Sequence, residues 1–230
     1  MTKLREGLPP LPAKMMNLPL DPRGYPIPWF VGEINGVRDF RTADAKKRKL
    51  AQDNRLCWLC GGKLGRFMAF VIGPMCVVNR NTSEPGSHLE CARFAAMACP
   101  FLTLPRSKYR SQADLPKDST RQLEGALDGN PGACAIFVTN ESWPYIVPGT
   151  RSEWLIRLGD PERVEWYCKG RPALRDEIIE SLKARLPLLE EIADQEEGGR
   201  EHLAAMVEVA MKTLPANSHD VSGHENAPAA

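Results

Sequence analysis

The sequence has 230 residues, of which 43% are hydrophobic, so it is long and apolar enough to bury a core as one domain or two small ones. Prolines at positions 9, 10 and 12 interrupt the segment where a secretion signal would place its apolar core, and no run approaches the roughly 18 apolar residues of a membrane span. We therefore expect a cytoplasmic protein without membrane contact. Its seven cysteines, an odd number, favour metal binding over a disulfide framework.

The net charge of +1 conceals a segregation of charge along the chain. Residues 1–37 carry 4 basic and 3 acidic side chains, residues 38–110 carry 14 and 5, and residues 111–230 carry 12 and 21. A basic stretch followed by an acidic one is compatible with a polyanion-binding module. It is equally compatible with two halves of one protein that attract each other.

The first predicted region is a proline-rich extended arm over residues 1–28, which holds 7 of the 20 prolines. Such an arm can be a ligand for a proline-binding module, but we expect it to lie across its own domain. The next region, residues 29–110, opens with a predicted hairpin. Two apolar runs flank Asn35-Gly36, a dipeptide that tolerates two successive positive φ angles.

Eight basic side chains of this region are candidates for contacts with nucleic-acid phosphates. Four of them are consecutive in a helix predicted from Ala43 to Asn54, where they wrap around the helix instead of lining one face. This favours a solvated helix and leaves nucleic-acid contact as the alternative. The candidates are Arg41, Lys46, Lys47, Arg48, Lys49, Arg55, Lys63 and Arg66.

A zinc-knuckle pattern begins at Cys57. The two-residue gap between Cys57 and Cys60 lets both sulfurs face one ion, and Gly61 allows the chain to turn away. The apolar runs 67–72 and 75–78, separated by a Gly-Pro turn, then predict a hairpin that is too apolar to expose both faces.

A second pair of ligands opens a predicted helix. Ser87 and Glu90 have the spacing of a capping box, so we expect a helix to begin here and to carry His88 and Cys91 on one face. The two pairs are predicted to bind one structural Zn²⁺ ion in a closed four-coordinate site. The alternative is a set of buried thiols beside a capped helix without metal.

Four other cysteines are assigned to the core. Cys76 in the predicted hairpin and Cys99 at the end of the predicted helix are rival ligands, but both resemble small core residues. Cys134 and Cys168, in predicted strands, have the same interpretation.

The second half is predicted to follow a connector at residues 111–133. Residues 134–213 predict an α+β region, and residues 214–230 are too polar to order themselves and predict a disordered tail. The predicted strands are Cys134 to Thr139, and Trp154 to Leu158 paired as a hairpin with Arg163 to Tyr167. The predicted helices run from Pro172 to about Leu186, from Pro187 to an interruption at Gly198-Gly199, and from there to about Thr213.

The order of knuckle, hairpin and ligand-bearing helix resembles the treble-clef class of zinc fingers over about residues 55–100. The expected fold class is α+β, with a treble-clef-like zinc module followed by a small mixed α/β region with C-terminal helices. Treble clefs also scaffold HNH nucleases, which need a catalytic histidine on the hairpin. The predicted hairpin has none.

The strings at 57–80 and 87–102, followed by Gly159-Asp160-Pro161 and Gly170-Arg171-Pro172-Ala173, resemble a group of uncharacterised proteins of tailed bacteriophages and prophages. This resemblance carries no assigned reaction. It implies a setting in the host cytoplasm, where small accessory proteins bind host factors or blunt host defences.

We therefore expect a non-enzymatic binding protein that engages a host protein, with Trp143, Tyr145 and Trp154 as anchors if they are exposed instead of buried. A nucleic-acid binder that uses the basic residues is the second hypothesis, and a hydrolase or transferase with an unrecognised site is the third. The sequence contains no phosphate loop, no Gly-x-Ser-x-Gly elbow and no dinucleotide fingerprint. It leaves the oligomeric state open.

Overall fold

The computed structural model describes residues 2–34, 36–104, 107–108, 129–147 and 154–216. Most of the predicted connector and the predicted disordered tail beyond residue 216 lie outside the described residues. No helix in the described ranges combines the length and the apolar character that a bilayer crossing demands.

The N-terminal arm packs across the core of its own chain. A short 3-10 turn at Ala13–Met15 brings Met15 into the interior, where 1% of its surface is exposed. A backbone hydrogen bond from Ile27 to the carbonyl of Pro19 folds the rest of the arm back on itself at 2.8 Å. The arm is thus an integral part of the fold.

The predicted Asn-Gly hairpin is confirmed. Strand β1 (Val31–Ile34) pairs antiparallel with β2 (Val37–Ala43), and Ile34 lies opposite Val37 at the turn. Helix α1 (Ala45–Asn54) follows, and the carboxylate of Asp44 accepts hydrogen bonds from two backbone N–H groups of its first turn.

The main sheet is antiparallel and contains strands from both halves of the sequence. Its order is β3-β5-β8-β9. The strands are β3 (Met68–Ile72), β5 (Ala133–Thr139), β8 (Arg163–Cys168) and β9 (Arg171–Pro172). Every residue of β5 is buried, because helices cover both faces of the sheet at this strand.

Helix α3 (Leu89–Ala98) covers one face of this sheet, and Ala92 and Ala96 pack there against Ile136 and Val138. The other face packs against α2 and the C-terminal helices. These helices are α2 (Pro74–Asn79), α5 (Arg175–Lys183), α6 (Leu186–Ala193) and α7 (Gly199–Met211). A single-turn helix, α4 (Pro100–Thr103), follows α3.

A second antiparallel sheet has the order β4-β7-β6. It consists of β4 (Asn81–Thr82), β7 (Trp154–Leu158) and β6 (Ser142–Ile146). Because β4 pairs with β7 and β3 pairs with β5, both sheets join residues before the predicted connector to residues after it. The two halves share one hydrophobic core.

Three local predictions are wrong. Residues 75–78 belong to helix α2, since Gly73 and Pro74 start a helix here and its apolar side chains, Val77 and Val78, reach the core. The strands β7 and β8 exist but do not pair with each other, because each finds another partner. Pro172 lies in β9, and the next helix begins only at Arg175.

The predicted breaks between the last helices are confirmed. Helix α6 begins with Pro187 in its first turn, and α7 begins at Gly199 after Gly198 adopts a φ of +70°. The described chain is therefore a mixed α and β structure with antiparallel sheets and a helical C-terminal layer, as the sequence predicts in outline.

Candidate metal centre

The first two sulfurs lie on a tight turn that backbone hydrogen bonds define. The amide of Gly61 donates to the carbonyl of Cys57 at 2.8 Å, and the amide of Cys57 donates to the carbonyl of Gly62 at 2.7 Å. Gly61 has a φ of +76°, which favours glycine. The amide of Cys60 points at the sulfur of Cys57, 3.4 Å away, so this turn also orients N–H groups toward its thiolate.

The second two ligands lie at the start of helix α3. His88 is the N-cap residue of α3, and Cys91 lies in its first turn. The helix therefore begins one residue later than it would with Ser87 as the N-cap. The predicted capping box is not formed, and Glu90 instead accepts a hydrogen bond from Lys14. The amide of His88 donates to the sulfur of Cys57 at 3.4 Å, which joins the helix start to the knuckle.

The four predicted ligands converge. The sulfurs of Cys57, Cys60 and Cys91 and a ring nitrogen of His88 all lie within 4.8 Å of one another. His88 Nδ1 is 3.4 Å from the sulfur of Cys60 and 3.9 Å from that of Cys91. All seven cysteines are free, so no disulfide competes for these sulfurs. The four residues are close enough to hold one metal ion.

The imidazole of His88 is oriented by a carbonyl group that sequence reasoning missed. Its Nε2 lies 2.9 Å from the carbonyl oxygen of Lys63. Since a carbonyl only accepts, Nε2 carries the proton and donates, and the lone pair of Nδ1 faces the sulfurs. A ligating histidine commonly has such a second hydrogen bond. The spacing of the sequence gives no signal of it.

The electrostatics of the centre favour charge on the sulfur of Cys57. Hydrogen bonds from the thiols of Cys60 and Cys91 lower the pKa of Cys57, and two backbone N–H groups add to the effect. The same sharing of protons raises the pKa values of Cys60 and Cys91. Three sulfurs that share protons at this distance form a centre to which a cation binds by displacing those protons.

The rival cysteines do not join this group. Burial raises the pKa of Cys76 to about 11 and also raises the pKa of Cys99. Burial likewise raises the pKa of Cys134 to about 12 and raises that of Cys168. All four therefore remain protonated thiols near neutral pH, consistent with small core residues.

The N-terminal region packs directly on the knuckle. The amide of Trp29 donates to the carbonyl of Leu59 at 2.8 Å, and the ring of Trp29 fills the space beside Gly61, where a Cβ atom would lie 2.8 Å away. The rings of Phe30 and Trp58 stack with centroids 4.7 Å apart. The charge of Lys14 lies near the sulfurs of Cys91 and Cys60. The residues that follow the arm therefore pack on the knuckle, and Lys14 joins the arm itself to the first turn of α3.

The eight predicted phosphate contacts have different environments. Lys47 donates to the carbonyl of Val31, and Lys49 forms an ion pair with Asp53. Arg48 is turned inward, as described next. Lys46 is exposed on α1 and the side chain of Arg41 lies outside the described part. The remaining three, Arg55, Lys63 and Arg66, are exposed around the knuckle.

Arg48 and Glu84 are half-buried beside the second sheet, close enough for each charge to affect the pKa of the other. The guanidinium of Arg48 stacks 3.7 Å above the ring of Trp154 and donates to the carbonyls of Ser83 and Trp154. Burial lowers the pKa of Arg48 to about 10. Burial also raises the pKa of Glu84 to about 7, although the charge of Arg48 opposes the shift. Arg48 thus holds α1 against the core.

No protein-family model, curated protein or solved structure matches the chain. The suggested resemblance to phage proteins therefore has no support from the comparisons. What the described residues establish is a Cys57, Cys60, His88 and Cys91 group with the geometry for a metal ion.

Proposed function

We propose that this chain is a non-enzymatic binding protein and that a zinc ion at Cys57, Cys60, His88 and Cys91 holds its N-terminal half together. The observation that carries the proposal is the convergence of three sulfurs and one imidazole nitrogen within 4.8 Å. Two of the sulfurs, those of Cys57 and Cys91, belong to residues with 0% exposed surface. An ion there would be buried on the side of these two sulfurs, while Cys60 and His88 are half-buried.

The chemistry of the donors selects zinc. Three thiolates and one neutral imidazole are borderline-soft ligands, and Zn²⁺ takes four of them in a tetrahedron without redox chemistry. Four protein ligands leave no coordination position for water or substrate, which is typical of a structural site and not of a catalytic one. This supports a scaffold and argues against metal-assisted hydrolysis at the centre.

We further propose that the zinc module is a modified treble clef. Strand β3 lies beside the segment before α3, since Ala69 and Ser87 exchange two backbone hydrogen bonds of 2.9 and 2.8 Å. This pairing supplies the hairpin-like element between the knuckle and the helix. Helix α2 and strand β4 are then an insertion between its two arms, which the sequence could not distinguish from a simple hairpin.

The experiment that tests this proposal is a metal count on the purified full chain. Native mass spectrometry and elemental analysis are expected to give one zinc ion per chain, and none in Cys91→Ser. The matched control is Cys76→Ser, because Cys76 is a neighbouring core thiol outside the group; it should keep its zinc. A wild-type protein that carries no metal after growth with zinc would contradict the proposal.

For the partner, we propose a host protein in the cytoplasm. A protein partner is supported by the outer face of the β4-β7-β6 sheet, where Trp143 lies opposite Arg157 and is 49% exposed. Tryptophan and arginine are common anchors of protein interfaces. Tyr145 is half-buried on the same face, and Trp154 is taken up by Arg48, so it is not an anchor.

The second candidate is nucleic-acid binding by the basic stretch 38–110. The observation that favours it is local: the cations nearest the zinc module are exposed, while most of those on α1 are engaged within the protein. This difference restricts a nucleic-acid interface to the knuckle.

A further inference from the structure

We propose that the zinc knuckle binds a single-stranded nucleic acid through four side chains, Arg55, Lys63, Arg66 and Phe67, which we name the knuckle face. The inference rests on the proposed zinc-stabilised scaffold and gives it a ligand class. All four side chains are exposed, and they lie within the 13 consecutive residues 55–67.

Two of the three cations, Arg55 and Lys63, are held in place before any ligand binds. Arg55 donates to the carbonyls of Gly65 and Arg66 at 2.9 and 3.2 Å, so its guanidinium bridges the two arms of the knuckle loop. Lys63 donates to the carbonyl of Asn54 at 2.6 Å. Neutral carbonyls orient these cations without neutralising them, so their charges stay available to phosphate groups.

The surrounding sequence strengthens the positive potential. The segment from Asn54 to Ser83 contains four basic residues and no acidic one. A Zn²⁺ ion with three thiolates adds a charge of only −1, and Lys14 and Glu90 beside it neutralise each other in an ion pair. One acidic residue, Glu162 just before β8, lines a cleft together with Phe67. A polyanion is the complementary ligand of such a face.

Phe67 supplies a stacking surface beside these charges. Its side chain is 46% exposed, and the guanidinium of Arg66 lies 5.3 Å from its ring centroid. An exposed ring flanked by cations suits an unpaired base above the ring and phosphates against the cations. Bases in a duplex are already stacked on each other, so a duplex gains only the phosphate contacts.

Two clefts extend the knuckle face on either side of the first residue of β3. One, with a volume of about 190 Å³, is lined by Arg55, Gln52 and Ser142. The other, of about 250 Å³, is lined by Phe67, Leu89 and Arg163. Met68 lines both, so a strand laid across Phe67 meets a cleft with a guanidinium at each end. The cleft beside Arg55 is mainly polar, and the cleft beside Arg163 is mainly apolar with Glu162 on its wall. Helix α1 offers fewer available cations, because Lys47 and Arg48 are half-buried and Lys49 is ion-paired with Asp53.

The test is fluorescence anisotropy of the zinc-loaded full chain with labelled oligonucleotides of about 20 nucleotides, namely oligo(dT), oligo(U) and a mixed-sequence duplex. Single strands are expected to bind more tightly than the duplex. With about three phosphate contacts, affinity should fall roughly 20-fold between about 50 and 200 mM salt. Absence of binding at the lower salt concentration, or equal binding of the duplex, overturns the proposal.

Substitutions separate stacking from charge. Phe67→Ala and Phe67→Leu should each weaken single-strand binding roughly tenfold or more with an unchanged salt dependence. Arg66→Gln should weaken binding and make the salt dependence shallower. Ile192→Ala, at an exposed apolar position on α6, is the control that should bind like the wild type. Equal affinity of Phe67→Ala and wild type overturns the stacking interface.

The metal count on the same samples keeps the two proposals distinguishable. A zinc-loaded, folded chain that binds no oligonucleotide refutes the knuckle face and leaves the scaffold intact, with a protein partner as the remaining class. A chain without zinc refutes the scaffold itself, whatever it binds.

Discussion

The proposed zinc module at residues 55–98 and the C-terminal helices at residues 175–211 are expected to be stabilised in different ways. In the module, four donor atoms and a few short backbone hydrogen bonds fix the knuckle against α3. In the helices, apolar residues such as Ile178, Leu182 and Leu203 bury one side of each helix on the main sheet. Both regions contribute to the same hydrophobic core, and the comparison teaches that the first region adds a compact polar centre to the apolar contacts on which the second depends.

The largest expected effect is metal removal. Zinc bound by small sites contributes about 10–16 kcal/mol in apparent free energy, comparable with the whole stability of a domain. Chelation should therefore unfold the module and, through the shared sheet, lower the thermal stability of the entire chain. Circular dichroism with and without chelator measures this. An unchanged melting temperature after confirmed zinc loss would show that apolar contacts alone stabilise the fold.

The matched variant for that comparison is Ile178→Ala, which removes a fully buried side chain of α5. It is expected to destabilise the protein by about 2–5 kcal/mol. Because the change is remote from the ligands, the purified variant should still hold one zinc ion. Loss of zinc here would mean that the two regions are not separable.

A second prediction concerns pH and uses Glu84, between the two ligand pairs. Burial raises the pKa of Glu84 to about 7, so the folded state holds this proton more tightly than the unfolded chain does. The stabilisation that the protonated Glu84 contributes to the folded state is complete below the usual pKa of a glutamate carboxyl group. It is lost as pH rises through about 7. Its upper limit is about 3 kcal/mol.

Denaturant titrations of wild type and Glu84→Gln at about pH 5.5 and about pH 8 test this effect. The wild type should lose stability relative to Glu84→Gln as pH rises. The difference between their free energies of unfolding excludes the pH dependence of zinc binding, because both proteins share it. Asp194→Asn in the helical region is the control. Arg200 lowers the pKa of Asp194, so the ionised Asp194 stabilises the folded state. This stabilisation is lost as pH falls, in more acidic solution, whereas that of Glu84 is lost as pH rises. A pH-independent difference between wild type and Glu84→Gln would contradict the prediction.

The smallest expected effect compares two glycines in the same backbone conformation. Gly61 and Gly198 have φ angles of +76° and +70°, so an added Cβ strains both. Only at Gly61 does that atom collide, 2.8 Å from the ring of Trp29. Gly198→Ala should cost about 1 kcal/mol. Gly61→Ala should cost more and weaken zinc retention, as measured by competition with a chelator. Equal costs would show that Trp29 moves freely.

Much of the metal centre could be predicted from the sequence because its geometry is local. A two-residue gap between cysteines and a three-residue step at a helix start bring each pair together regardless of the rest of the fold. The hydrogen bond from His88 to Lys63 could not be predicted, since it depends on where the knuckle loop lies over the helix start. The inward position of the Arg48 side chain could not be predicted either, because its hydrogen-bond acceptors come from remote segments.

The sequence by itself determined the four-residue Cys and His cluster, the Asn-Gly hairpin, the buried strand at β5 and the breaks between the last helices, because each depends on the conformational preferences of a few adjacent residues. Only the tertiary structure decided that residues 75–78 form a helix, that β7 and β8 belong to different sheets, and which cations face solvent. A short apolar run fits a strand or a helix equally well until a partner surface is available. Pairing between distant strands is chosen by the packing of the whole core, which no local pattern records.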